Sequence, residues 1–93
     1  MKRIAAALAA LFILSAGALS AEIEMQPVDS SLIAQIGYDA ESEVLAVQMH
    51  NSSDVYLYED VPPSVHAEFL AAESKGRYFV ENVKGQYSSS LKD

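Results

Sequence analysis

The sequence predicts an α+β fold: a three-stranded antiparallel meander followed by one or two short helices packed on one face. Three observations predict it. Between Ser31 and Glu59, apolar residues recur at every second position in three runs, separated by four-residue polar breaks. At Val61-Pro62-Pro63 that alternation stops and a helical period takes over. The chain has only 93 residues and no cysteine, so it holds one small domain whose stability rests on packing rather than on disulfides.

The first strand begins at Ser31. Leu32, Ala34, Ile36 and Tyr38 fall on one face, with Ser31, Gln35 and Gly37 opposite and Ile33 breaking the polar side. Asp39-Ala40-Glu41-Ser42 closes a hairpin. Glu43 to His50 alternates again, placing Leu45, Val47 and Met49 on one face and Val44, Ala46, Gln48 and His50 on the other. Asn51-Ser52-Ser53-Asp54 is a second turn, made of side chains that bond their own backbone. Val55 to Glu59 is a short third strand with Tyr56 and Tyr58 on the same face.

Proline lacks the amide hydrogen of a ladder but suits the first turn of a helix, so Pro62-Pro63 both ends the strand and starts a helix. Val65, Phe69 and Ala72 recur at helical spacing, with Leu70 widening the stripe and Glu68 and Glu73 off it. Gly76 is expected to stop this helix, after Lys75 at its negative end. Ser74 is placed to cap a second short helix carrying Tyr78, Phe79 and Val83 and ended by Gly85; a strand over Tyr78 to Val83 is the alternative. Residues 21–27 read as a lead-in, and 88–93 as a frayed polar tail.

The N-terminus carries a different message. Lys2 and Arg3 precede an unbroken apolar run, Ile4 to Leu14, and then the small residues Ser15-Ala16-Gly17-Ala18-Leu19-Ser20. This is the layout of a signal peptide over residues 1–20, with the cut expected between Ser20 and Ala21. A membrane anchor is the alternative, but the run falls short of the roughly 20 apolar residues that cross a bilayer. The expected location is therefore periplasmic or secreted, with no stable membrane anchor after cleavage.

Charge narrows the partners. The chain has 6 Lys and Arg against 13 Asp and Glu, a net charge of −7. Residues 1–20 hold two of the basic residues and no acid, so Ala21 to Asp93 carries a net charge of −9. Nucleic acid and anionic lipid draw their affinity from clustered cations and are disfavoured; a basic protein or a cation is better matched.

The residues offer little for catalysis or metal ligation. His50 and His66 have no His, Cys or carboxylate at a ligand spacing, and Glu68, two residues from His66, points to another side of the helix. No serine sits in a nucleophile elbow, the acids Asp39, Glu41 and Glu43 straddle a turn, and the four glycines are isolated rather than gathered into a phosphate loop. No cofactor is expected, and the chain does not read as an enzyme. The tyrosines are the more informative residues. Tyr56 and Tyr58 form either a stacking platform or part of the core beneath the helix, and Tyr78 is a third candidate contact.

The same residues carry a resemblance. From about Val28 to Tyr87 the chain resembles the KTSC domain, a module found at the C-terminus of some lysyl-tRNA synthetases and as a stand-alone bacterial protein. The matching features are Val28-Asp29-Ser30-Ser31, Ile36-Gly37-Tyr38-Asp39, Tyr56-Leu57-Tyr58 and Val61-Pro62, then Ala71-Ala72-Glu73-Ser74 with Gly76, Arg77-Tyr78-Phe79, and Tyr87. The resemblance implies no catalytic residues, and RNA binding only as a suggestion. Where similar sequences continue after Tyr78-Phe79 with asparagine and basic residues, this chain has Val80-Glu81-Asn82-Val83. The expected function is thus a non-catalytic interaction module of the cell envelope, holding an unknown protein or peptide at Tyr56, Tyr58 and Tyr78. RNA binding and inhibition of a basic envelope enzyme are the alternatives, and self-association is open.

Overall fold

The computed structural model describes residues 23–92, so the expected signal peptide and its cut lie outside the described residues. The elements in chain order are β1 (Met25–Pro27), β2 (Ile33–Asp39), β3 (Val44–Met49), β4 (Val55–Tyr58), α1 (Pro63–Ala71), α2 (Lys75–Asn82) and β5 (Ser89–Leu91). The strands make one antiparallel sheet in the order β1-β2-β3-β4-β5, and the two helices cover one of its faces. The α+β class and the meander are as the sequence predicts.

The central hairpins form where the polar breaks place them. In the first, Asp39 pairs with Val44; its carboxylate accepts from the Glu41 amide at 3.2 Å and from the Ser42 hydroxyl at 2.7 Å. In the second, Ser52 Oγ accepts from the Asp54 amide at 3.0 Å. Both are side chains standing in for backbone turns.

Four details differ from the sequence reading. The register of β2 against β3 shifts between Ile33 and Gln35, which makes Ala34 the extra residue of a bulge. One added residue reverses the alternation, so Ile33 joins Ile36 on the covered face, 0% and 1% exposed, while Leu32 is 40% exposed. The lead-in and the tail each contain a strand, β1 and β5. They form because β2 and β4 offer unpaired edges, and three residues are too few to show a period. Finally, Gly76 does not stop α1: the helix ends at Ala71, and Ala72 is already extended. Gly76 lies in the first turn of α2, where a Cβ would come within 3.3 Å of Leu32 Cβ.

α2 is the helix that the alternation change and Ser74 suggest. Ser74 Oγ accepts from the Arg77 amide at 3.2 Å, capping it, and Gly85 comes after it with φ +80°. Lys75 still serves the end of α1, donating from Nζ to the Ala72 carbonyl at 3.2 Å. Between sheet and helices the core comprises Ile33, Ile36, Leu45, Val47, Tyr58, Val61, Phe69, Phe79 and Val83.

Candidate functional site

The three candidate tyrosines are joined by the core, not by an open surface. Tyr58 pairs with Leu45 in the sheet and shares its face, the face the helices cover. It is 6% exposed, and burial pushes its phenol above the usual pKa, with the neighbouring Tyr56 adding to the effect. Tyr56 lies one step along the same face, opposite Val47 and Leu91, and is half-buried. Tyr58 is thus a core residue rather than half of an open stacking platform, and Tyr56 packs against that core from a half-buried position.

From Tyr58 the rings run outward in a column. Tyr58 meets Phe79 edge to face at 5.7 Å, Phe79 stacks on Phe69 at 6.3 Å, and Phe69 stacks on Tyr78 at 5.4 Å. Tyr78 ends the column at the surface. Its hydroxyl donates to Glu68 Oε1 at 2.9 Å, with the Val65 carbonyl farther off at 3.4 Å. Burial, the hydrogen bond to Glu68 and its negative charge, and the nearby Tyr87 together push the Tyr78 phenol up to about 12.

Around this hydroxyl lies an open cleft of about 360 Å³, lined by Val65 and Glu68 of α1, Tyr78 and Glu81 of α2, and Tyr87 beyond Gly85. It presents two carboxylates, two phenols and the side-chain amides of Asn82 and Gln86, and no Lys or Arg. Sequence reasoning singled out Tyr78 but treated Glu68 as merely off the apolar stripe and Tyr87 as a closing residue of a pattern. Glu68 and Tyr78 are ten positions apart on different helices, so only the turn at Ala72 to Ser74 brings them together.

A second concavity, of about 250 Å³, sets Asp29, Ser30 and Ser31 against Glu73, Ser74 and Lys75. Several of its polar groups are engaged by the chain itself. Ser30 Oγ accepts from the amides of Leu32 and Ile33, the Ser30 carbonyl accepts from His50 Nε2 at 2.8 Å, and Lys75 is held at Ala72. The segment resembling the family at 28–31 thus organises the entry to β2.

The histidines are apart. His66 stacks on Tyr38 with ring centroids 4.5 Å apart, and burial lowers its pKa below the ordinary 6.5. The Tyr38 hydroxyl donates to the Val61 carbonyl, and its phenol is raised by burial, then by the charges of Glu43 and Asp39. Among the described residues no three His, Cys, Asp or Glu side chains converge on a metal position. No helix among them is long and apolar enough to cross a membrane.

The model of the KTSC domain matches residues 29–87. The chain belongs to the KTSC domain family. A KTSC domain protein from Yersinia pestis, solved by crystallography, superposes with a TM-score of 0.73 at 36% identity, covering 77% of this chain and all of that one. A protein from Tsukamurella paurometabola is 44% identical over 63 residues, which cover 68% of this chain and 92% of its own. A lysine–tRNA ligase from Nostoc punctiforme is 36% identical over 59 residues, and these make up 10% of that enzyme. The matched region holds every element from β2 to α2, together with Tyr87 of the cleft. The core and the candidate site both lie within the KTSC domain.

Proposed function

We propose that this KTSC domain is a non-catalytic binding module of the cell envelope that holds a protein or peptide partner at the Tyr78 cleft. The observation that carries the reading is the cleft itself. It is a concavity on the helix side in which a half-buried ring anchored on the core and a second half-buried tyrosine stand beside two exposed carboxylates. Tyr58 supports this surface from within, and Tyr56 stands at the margin of the same covered face. The envelope assignment rests on the charged, apolar and small-residue succession of residues 1–20.

The test is capture of partners from periplasmic extract on the immobilised protein, compared with Tyr87→Ala and Tyr78→Phe. A partner retained by the unaltered protein and lost with Tyr87→Ala supports the reading. Equal retention by all three proteins moves the contact surface elsewhere, and recovery of the protein from cytosol alone after fractionation removes the envelope.

The match to a lysine–tRNA ligase favours a second reading, an RNA-binding module. Phosphate contacts draw their affinity from Lys and Arg, and the net charge of −9 beyond residue 20 opposes it. Retention of tRNA on a filter at low salt, lost as salt rises, would establish that reading over the first.

A further inference from the structure

The character of the cleft narrows its guest, an inference that rests on the binding reading above. Tyr78 is anchored by its ring, which stacks on Phe69 in the core. Its hydroxyl holds one oxygen of Glu68 at the rim, and a carboxylate so engaged keeps its second oxygen and further lone pairs for another donor. Glu81 lies three residues beyond Tyr78 on α2 and so stands on the same side of that helix. Tyr87 brings a second ring, and Val65 gives the lining an aliphatic surface. Every charged group of the lining is an acid.

A guest that satisfies all of this has several donors, a positive charge, a flat face for aromatic rings and an apolar stem. Arginine has these; lysine, a compact point charge, lacks the flat face and the paired donors. We propose that the cleft receives an arginine side chain of a basic protein, with its guanidinium paired to Glu68 and Glu81 beside the rings of Tyr78 and Tyr87. Its aliphatic stem lies along Val65, in the manner of long cationic side chains on apolar surfaces. The acidic chain draws a basic partner toward this end of the helix pair, and the guanidinium fixes its register there.

The experiment is titration of the purified, 15N-labelled protein with the capped tripeptides Gly-Arg-Gly, Gly-Lys-Gly and Gly-Glu-Gly. The arginine peptide is expected to move the amide resonances of Tyr78, Glu81 and Tyr87 while leaving those of Leu45 and Val47 in place. The lysine peptide binds about fivefold more weakly, as does the arginine peptide to Glu68→Gln or Glu81→Gln. These variants sit on exposed helix positions, so an unchanged spectrum of the core residues certifies their fold. Arginine-induced shifts that are absent from the cleft, matched by the glutamate peptide or indifferent to both Gln variants overturn the assignment. Should a captured partner depend on Tyr87 while the arginine peptide leaves the cleft untouched, the cleft is a binding surface whose guest is not arginine. Should neither depend on it, the binding reading falls as well.

Discussion

The two faces of the sheet are closed in opposite ways. On the helix side space is filled by volume: Phe69 and Phe79 reach down to Tyr58, Leu45 and Val47. On the other side space is removed. Gly37 pairs with Met25 and Ala46, and both it and Ala46 are buried without a large side chain. There the chain itself comes close. A Cβ at Gly37 would meet the Glu24 carbonyl at 2.6 Å, Ile23 Cγ2 at 2.7 Å and Met25 Sδ at 2.8 Å. The contrast teaches that a domain too small for two helical layers can shelter its second face with a strand edge and two small residues. Buried positions on the two faces therefore tolerate different changes: the first suffers from lost atoms, the second from added ones.

The largest effect is expected on the filled face. Phe69→Ala removes one of the two inner rings of the column and should cost about 3–5 kcal/mol, a large share of the stability of so small a domain, read from urea denaturation. On the closed face, Gly37→Val should cost about 1–3 kcal/mol, since the added atoms must displace residues 23–25. Its mark is faster hydrogen exchange at Met25 and Gln26 with little change at Val47. If Gly37→Val stabilises the protein instead, as a branched residue does in an unobstructed strand, the contrast between the faces is broken.

Two titrations sharpen the rim of the filled face. The Tyr78 phenol, raised to about 12, holds its proton longer in the fold than in the unfolded chain, whose tyrosines ionise near 10. Its contribution is complete below pH 10 and is lost as pH rises through 12. Absorbance at alkaline pH should show a late-ionising tyrosine that is missing in Tyr78→Phe. The smallest effect concerns His66. Burial favours its neutral ring, so the unfolded chain takes up the proton first, and stability falls as pH drops below 6.5 toward the lower pKa of the fold. A proton NMR titration of His66 with a midpoint at or above 6.5 would contradict its burial against Tyr38.

What the sequence made legible depends on the length over which each signal is repeated. β3 and β4 could be read because Leu45, Val47, Tyr56 and Tyr58 alternate cleanly, and α2 because Ser74 and Gly85 bracket it. β1 and β5 could not, since three residues that pair at an edge have no pattern of their own. The bulge at Ala34 misled by one residue, enough to exchange Ile33 and Leu32 between core and solvent. The site was half legible. Alternation shows that Tyr56 and Tyr58 share a face, but which face the helices cover depends on contacts distant in sequence. Gathering Glu68, Glu81 and Tyr87 around Tyr78 depends on the angle between two short helices.

The strand order has a consequence for how the chain acquires its structure. Neighbours in the sheet are neighbours in sequence from β1 to β4, and only short turns separate them. Ordering can therefore spread as a front from one end, each strand adding to a template already set, with little loop entropy to overcome. Only the closing step is of another kind. β5 follows both helices and registers Ser89 with Tyr58 and Leu91 with Tyr56, so this last ladder closes a longer loop than any other in the sheet. A chain interrupted before Ser89 should then keep its early front and lose its clasp, leaving β4 as an unpaired edge open to another chain.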